Sequence, residues 1–236
     1  MARQAREKFK VYKGVFDNFT IRTLIELAKK ALFLEETLSP VKIGKEANVF
    51  SALNAKARKR VCIKIYRLET ANFNRMYGYI CSDPRFAGLT HKRRKVILAW
   101  VQREFRNLQI ANAARIKAPK PIKFLNNVLI MSFIGGSKAA PMLKDAPPKK
   151  PEEFYRQVTS AMKALYNKGF THGDLSPFNI LNNRQMAYII DFSHATSYTN
   201  PRFFELLRRD AKNIAEYFSN LGVKTSTEEI LKEIKK

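Results

Sequence analysis

Cysteine is nearly missing from this 236-residue chain: Cys62 and Cys81 are the only two. Their scarcity excludes a disulfide scaffold and a cysteine-rich zinc site, and it fits a reducing interior. Histidine is as scarce. His91, His172 and His194 are too scattered for a histidine-dominated metal site. No apolar run approaches the roughly 18 residues that a spanning helix needs, so no transmembrane segment is expected. The N-terminus, 1–10, is basic without an apolar stretch, so no secretory signal is expected either. Acidic residues are short as well: 20 Asp and Glu face 44 Lys and Arg, a formal net charge of +24. That imbalance points to polyanionic company, whether nucleic acid, phosphates or an anionic membrane surface, and charge alone does not choose among them. With 45% hydrophobic and 27% charged residues, the chain reads as globular rather than disordered. Its length allows one or two small domains. No internal repeat or low-complexity tract stands out, and a soluble, cytoplasmic protein is expected.

Hydrophobic periodicity divides the rest. Residues 1–13 read as a basic tail. Ile21, Leu24, Ile25, Ala28 and Leu32 recur at helical spacing and predict a helix over 20–33, closed off before Pro40. Residues 41–53 read as two short strands around a turn. The clearest strand is 61–66, with Val61, Ile63 and Ile65 on one side and Cys62, Lys64 and Tyr66 on the other. Residues 67–95 show no sustained period and read as a long insert loop. A helix is predicted over 96–114, a buried strand over 128–131 and a lobe boundary near 134. Helices over 153–168 and 202–221 flank a strand over 187–192, and 225–236 reads as a short polar helix or tail. The implied division is a tail and helix at 1–40, an N-lobe at 41–134 and a C-lobe at 135–236.

The residues with the strongest chemical content lie at 171–181, Thr-His-Gly-Asp-Leu-Ser-Pro-Phe-Asn-Ile-Leu, followed by Ile190-Asp191-Phe192-Ser193. Phosphoryl transfer needs hard oxygen ligands for Mg²⁺, and Asn179 with Asp191 can supply them. It also needs a carboxylate that orients the acceptor and takes its proton, a role open to Asp174. Pro177 stiffens the turn between base and ligand. His172, just ahead of Asp174, is read as structural.

A second signal is a pair. Lys64 lies inside an apolar strand, and Glu104 falls on the helix stripe 97, 101, 104, 108. A charge on a buried face is costly unless paired, so each residue answers the other's need. Together they suit a grip on nucleotide phosphates. Third, Gly44-Lys45-Glu46-Ala47-Asn48-Val49-Phe50 precedes the lysine strand as a short loop with one glycine. It lacks the Gly-Lys-Ser/Thr order of a Walker loop, and its position just ahead of Lys64 carries the phosphate-loop reading.

Taken together these motifs resemble the RIO family of atypical serine/threonine protein kinases. Residues 44–50 resemble its phosphate loop, Ile63-Lys64-Ile65-Tyr66 its third-strand lysine segment, and Pro141-Met142-Leu143-Lys144-Asp145 its Pro-x-Leu-Lys-Asp element. Residues 172–179 and 190–193 resemble its catalytic and metal loops. The phosphate loop begins at residue 44, which leaves no room before it for a winged helix. That absence, with Tyr77-Gly78-Tyr79, resembles the type-one branch in an archaeal-like minimal form. The resemblance implies an α+β, two-lobed kinase-like fold with an antiparallel N-lobe sheet and a mainly helical, truncated C-lobe. It implies ATP, with Mg²⁺ or Mn²⁺, and a role in maturing the small ribosomal subunit. An aspartyl-phosphate at the position of Asp191 is implied too. The hinge that meets adenine maps to Met131, Ser132, Phe133 and Ile134, with Ser132 where an acidic residue is usual. Expected partners are a small-subunit precursor with its rRNA and a protein phosphoacceptor, the chain itself included, but no membrane.

Two departures from ordinary protein kinases bear on mechanism. Ser176 stands where they have Lys, and Asp191-Phe192-Ser193 replaces Asp-Phe-Gly. Weak phosphorylation of peptides in trans is therefore expected, with ATP hydrolysis through Asp191 driving a conformational switch. Two alternatives remain: a small-molecule phosphotransferase of the aminoglycoside-kinase type, which shares the His-Gly-Asp-Leu pattern, and an RNA-binding scaffold on a kinase fold. The insert at 67–95 mixes Arg67, Arg75, Arg85 and the run 92–95 with Phe73, Tyr77, Tyr79 and Phe86, a composition that suits RNA. The alternative is a solvated basic loop.

Overall fold

The computed structural model describes residues 16–69 and 73–236, and the tail expected over 1–13 lies outside them. Two compact units emerge. The first takes in residues up to 77, 89–105 and 121–133; the second takes in 78–88, 106–120 and 134–236.

Helix α1 (Asn18–Lys29) opens the first unit. Asp17 caps it by accepting from the Thr20 N–H at 2.8 Å, which satisfies one of the first-turn donors. Strands β1 (Ser39–Ile43), β2 (Ala47–Leu53), β3 (Arg60–Tyr66), β4 (Pro121–Leu125) and β5 (Val128–Ser132) form one antiparallel sheet in the order β1-β2-β3-β5-β4. Phe50, Ala52, Val61, Ile63, Ile65, Val128 and Ile130 bury one face of it with Leu24, Leu27 and Phe33. Their period of two marks one face of each strand; on β3 and β5 the opposite face is buried as well, at Lys64, Tyr66, Leu129 and Met131. Each Val, Leu, Ile or Phe among these buried residues is worth roughly 1.5–3 kcal/mol when withdrawn from water. Strand β4 is not apparent in the sequence because it opens on Pro121. A proline cannot donate to a ladder, and it is tolerated here at the first residue of an edge strand.

The segment 67–95 departs from the expected loop. It contains α2 (Phe73–Cys81), a 3-10 turn at Pro84–Phe86 and the start of α3 (Arg93–Ala113). Phe73, Met76 and Ile80 form a buried stripe on α2. Nine residues are too few for that stripe to register in the windows over which helical periods are recognised. Helix α3 belongs to the first unit through Phe105 and to the second from Arg106.

In the second unit α4 (Pro151–Tyr166), α5 (Phe203–Ser219) and α6 (Thr227–Lys235) pack together. Phe154, Val158, Leu206, Ile214 and Phe218 are buried among them. Of the two forms expected for 225–236, the helix is present as α6: Ser226 accepts from the Glu229 N–H at 3.2 Å, and Ile230 and Ile234 are buried one turn apart. Strands β6 (Phe170–Thr171) and β9 (Thr196–Ser197) pair, as do β7 (Ile180–Asn183) and β8 (Met186–Ile189). Strand β8 stops short of the span expected over 187–192, because Asp191 turns left-handed with φ 61° and ψ 66°. A sheet-based unit and a mainly helical unit give the α+β architecture.

Candidate active site

In the first unit, strand alternation sends Lys64 away from the apolar face of β3. Its Nζ meets Glu104 Oε1 of α3 at 2.9 Å. Glu104 has no exposed surface, and Lys64 is 7% exposed. The Tyr66 hydroxyl, on the same side of β3, donates to Glu104 Oε2. The carboxylate is thus fixed at both oxygens, and the ammonium is aimed by a partner that cannot move. The alternation placed Tyr66 on the side of Lys64, but its bond to Glu104 was not anticipated.

The loop at 44–46 joins β1 to β2. Its Gly44 N–H donates to Asn48 Oδ1 at 3.3 Å, and a Cβ at Gly44 would lie 2.6 Å from the Ala47 carbonyl oxygen. Only glycine fits that approach without displacing backbone. Lys45 is exposed, Glu46, Ala47 and Val49 are half-buried, and Asn48 is buried. The β2–β3 register pairs Val49 with Lys64, so the loop leads directly into the strand beside the lysine. Met131 and Ser132, at the end of β5, pair with Cys62 and Val61. Ile134 lies beyond the first unit, and its carbonyl accepts from the Ala140 N–H at 3.0 Å.

In the second unit, Asn179 Nδ2 donates to the Asp174 carbonyl at 2.8 Å and to Asp174 Oδ2 at 3.1 Å. The Asn179 carbonyl accepts from the Ile190 N–H at 2.9 Å, which extends the β7–β8 ladder by one rung and ties Asn179 to the residue before Asp191. His172 Nε2 meets the Ile190 carbonyl at 3.0 Å and so carries the N–H, since a carbonyl only accepts. Ser193, the residue that replaces glycine, donates from Oγ to Asp191 Oδ1 at 2.7 Å. Gly173 has φ 75°, and a Cβ there would press to 2.7 Å on the His194 carbonyl oxygen. Catalytic and metal loops are therefore in backbone contact. The Pro-x-Leu-Lys-Asp element supports them from outside: Leu143 N–H donates to the Ile180 carbonyl at 2.8 Å, and Tyr217 Oη to the Leu143 carbonyl at 2.8 Å.

A residue the sequence reading missed organises this loop. Asp210 of α5 is buried and accepts from the Gly173 N–H at 2.7 Å, the Leu175 N–H at 2.8 Å and the Thr171 hydroxyl at 3.0 Å. Burial pushes its carboxyl up to about 7, against the pull of those donors and of Arg209. Beside it, Arg209 donates to the Gly173 carbonyl and stands 3.9 Å from Asp174 Oδ1. The signal was available: Asp210 lies between Leu206 and Ile214 on the apolar stripe of α5, just as Glu104 lies on that of α3.

The donor set suits Mg²⁺. With its amide nitrogen committed to Asp174, Asn179 offers Oδ1; Asp191 adds a carboxylate. Among the described residues no three His, Cys, Asp or Glu gather as a metal cage. Two hard oxygen ligands fit a cation that completes its shell with substrate phosphates and water.

Of the four aromatics that interleave the basic residues of 67–95, Phe73 and Phe86 are buried, whereas Tyr77 and Tyr79 are half-buried. The basic half stays outside: Arg75 and residues 92–95 are exposed.

A RIO domain profile matches residues 48–231. The RIO-type serine/threonine-protein kinase Rio1 of Haloferax volcanii is 36% identical over 92% of this chain and 74% of its own length. Its counterpart of that name in Methanocaldococcus jannaschii is 38% identical over 98% and 79%. Among solved structures, the chain is similar to the Rio2 kinase of Chaetomium thermophilum in its ADP/Mg²⁺-phosphoaspartate complex. The TM-score is 0.67 at 20% identity, covering 92% of this chain and 65% of that one. That likeness shows a shared fold.

Proposed function

The chain belongs to the RIO domain family, and on that premise we propose that it is an ATP-dependent serine/threonine protein kinase with ATPase activity, acting in the cytoplasm on small ribosomal subunit precursors. The observation that carries the chemistry is the linked set Asp174–Asn179–Asp191, joined by the Asn179 amide and by the rung from Ile190 N–H to the Asn179 carbonyl. In this reading Lys64, held by Glu104, binds nucleotide phosphates. Asn179 and Asp191 hold Mg²⁺, which offsets phosphate charge. An Asp191 carboxylate oxygen attacks the γ-phosphorus, the bond from that phosphorus to the bridging oxygen of ADP breaks, and an aspartyl-phosphate results. Water that gives its proton to Asp174 then hydrolyses the acyl phosphate and restores the carboxylate. When a serine or threonine hydroxyl replaces that water, the same base serves a kinase. The similar Rio2 kinase was solved as a phosphoaspartate complex, which favours the acyl-phosphate route.

Support for the ribosomal partner is electrostatic. The net charge is +24, and exposed Lys92, Arg93, Arg94 and Lys95 crowd the N-terminus of α3. Cations there oppose the helix dipole by about 0.3–1 kcal/mol each, and an rRNA backbone would relieve that. Among the described residues no helix is long and apolar enough to cross a membrane. Single-turnover ATP hydrolysis, with and without small-subunit precursor, tests the proposal. Faster turnover with precursor in the wild type, and not in Asp191→Asn, supports it. Precursor-independent turnover, with rapid stoichiometric transfer to a protein substrate and none to Asp191, contradicts it.

A further inference from the structure

The loop after Asp191 is gripped by side chains that the phosphoryl-transfer scheme leaves unused. Asn107, on the last turns of α3, is 1% exposed. Its Nδ2 donates to the carbonyls of Phe192 and Ala195, both at 2.8 Å, and its Oδ1 accepts from Arg85 Nη2 at 2.9 Å. Arg85 is fixed in turn by Asp83, Nε to Oδ1 at 2.9 Å and Nη2 to Oδ2 at 2.6 Å, with Asp83 only 4% exposed. The amide has one workable orientation. Flipped, its oxygen would face two carbonyls and its nitrogen a guanidinium, so Arg85 decides which end meets the loop. Two further contacts come from the same segment: Asn200 Nδ2 donates to Ser82 Oγ at 3.0 Å, and the Tyr79 and His194 rings meet edge-on at 4.9 Å.

The loop needs such a grip. Asp191 is left-handed, a conformation that costs a residue with a Cβ roughly 1–2 kcal/mol, and it persists only where its surroundings over-determine it. Ser193 orients the Asp191 carboxylate from within the same loop, so any drift of Phe192–Ala195 moves both. We propose that Asn107, oriented by the Arg85–Asp83 pair, is a positioning residue for Asp191, so that segment 78–88 governs metal binding without touching the metal. This inference rests on the reading of Asp191 as metal ligand and phosphoryl acceptor.

The test compares Asn107→Leu, Arg85→Gln and Asp191→Asn with the wild type in three measurements: amide hydrogen exchange at 191–195 without nucleotide, nucleotide affinity without metal, and the Mg²⁺ concentration for half-maximal turnover or half-maximal metal-dependent nucleotide binding. Asn107→Leu should raise the Mg²⁺ requirement about 10- to 100-fold, as loss of a support behind a ligand does. Exchange at 191–195 should accelerate, while metal-free nucleotide affinity stays near that of the wild type. Arg85→Gln, which keeps Asn107 but frees it to flip, should shift both in the same direction by less, and it carries the test if Asn107→Leu does not fold. Unchanged exchange and an unchanged Mg²⁺ requirement in the folded variants overturn the inference. So does faster exchange with a wild-type Mg²⁺ requirement while Asp191→Asn is shifted. If Asp191→Asn itself keeps the wild-type Mg²⁺ requirement, the underlying reading of the site falls, and this inference with it.

Discussion

Lys64 and Glu104 in the first unit neutralise each other at 2.9 Å, with Glu104 wholly enclosed, whereas Asp174 and Asp191 in the second are half-buried and receive hydrogen bonds from the neutral Asn179 and Ser193. In the first case the protein completes its own charge balance, so the pair is part of the packing. In the second, Asn179 and Ser193 orient the carboxylates, and the Arg209 guanidinium 3.9 Å from Asp174 is itself partly exposed, so the charge is met near the surface and not sealed in. The contrast separates a region where substitution costs stability from one where it costs chemistry, and each prediction below is a way to break or sharpen it.

The largest effect belongs to the half-buried acids. Asp174→Ala should slow single-turnover phosphoryl transfer by about 10²–10⁴-fold, the usual contribution of a positioned base, with the thermal unfolding midpoint nearly unmoved. A large loss of stability instead would erase the contrast. Next comes the enclosed pair. Lys64→Ala leaves Glu104 buried and uncompensated, which should cost about 3–5 kcal/mol in denaturant unfolding. Lys64→Met combined with Glu104→Leu should recover most of that stability and none of the nucleotide affinity. Were the double variant to bind nucleotide like the wild type, Lys64 would be only structural.

A third test uses Asp210, which holds the catalytic loop from α5 and is enclosed like Glu104. Burial raises its folded-state pKa from 3.8 to about 7. An acid raised in this way contributes stability that is full below pH 3.8 and is lost as pH rises through about 7. Relative to Asp210→Asn, the wild type should therefore lose stability across that window, on the order of 2–4 kcal/mol. Parallel pH profiles for the two proteins would show that Asp210 does not titrate there. The smallest effect is expected at the phosphate loop. Gly44→Ala forces the 2.6 Å contact with the Ala47 carbonyl to open. It should weaken nucleotide binding several-fold, measured by titration, for about 1 kcal/mol or less of stability. Unaltered affinity would remove that loop from the binding site.

How far these features could be read in advance follows from their physics. Strand β3 and all of α3 after its first residues announce themselves through apolar periods, and a charge at a stripe position identified both Lys64 and Glu104. The same rule would have found Asp210, had the α5 stripe been searched for acids as well as apolar residues. Helix α2 stayed hidden because its buried stripe spans too few residues. Strand β7 stayed hidden because Asn182 and Asn183 interrupt its apolar pattern: Asn182 is buried through hydrogen bonds, with Oδ1 accepting from the Gln185 N–H at 2.9 Å and Nδ2 donating to the Ala146 carbonyl at 3.0 Å. The Asn107 grip was beyond any local pattern, since its partners Phe192 and Ala195 are brought to it only by the tertiary fold.

The most direct measurement of the central claim is to stop the wild-type protein within one turnover of γ-labelled ATP and Mg²⁺ and locate the label by borohydride reduction and peptide mass spectrometry. Label that hydroxylamine removes, mapped to Asp191 and missing from Asp191→Asn, is the predicted result. A hydroxylamine-resistant label on serine or threonine alone, or undiminished acyl label in Asp191→Asn, would contradict it.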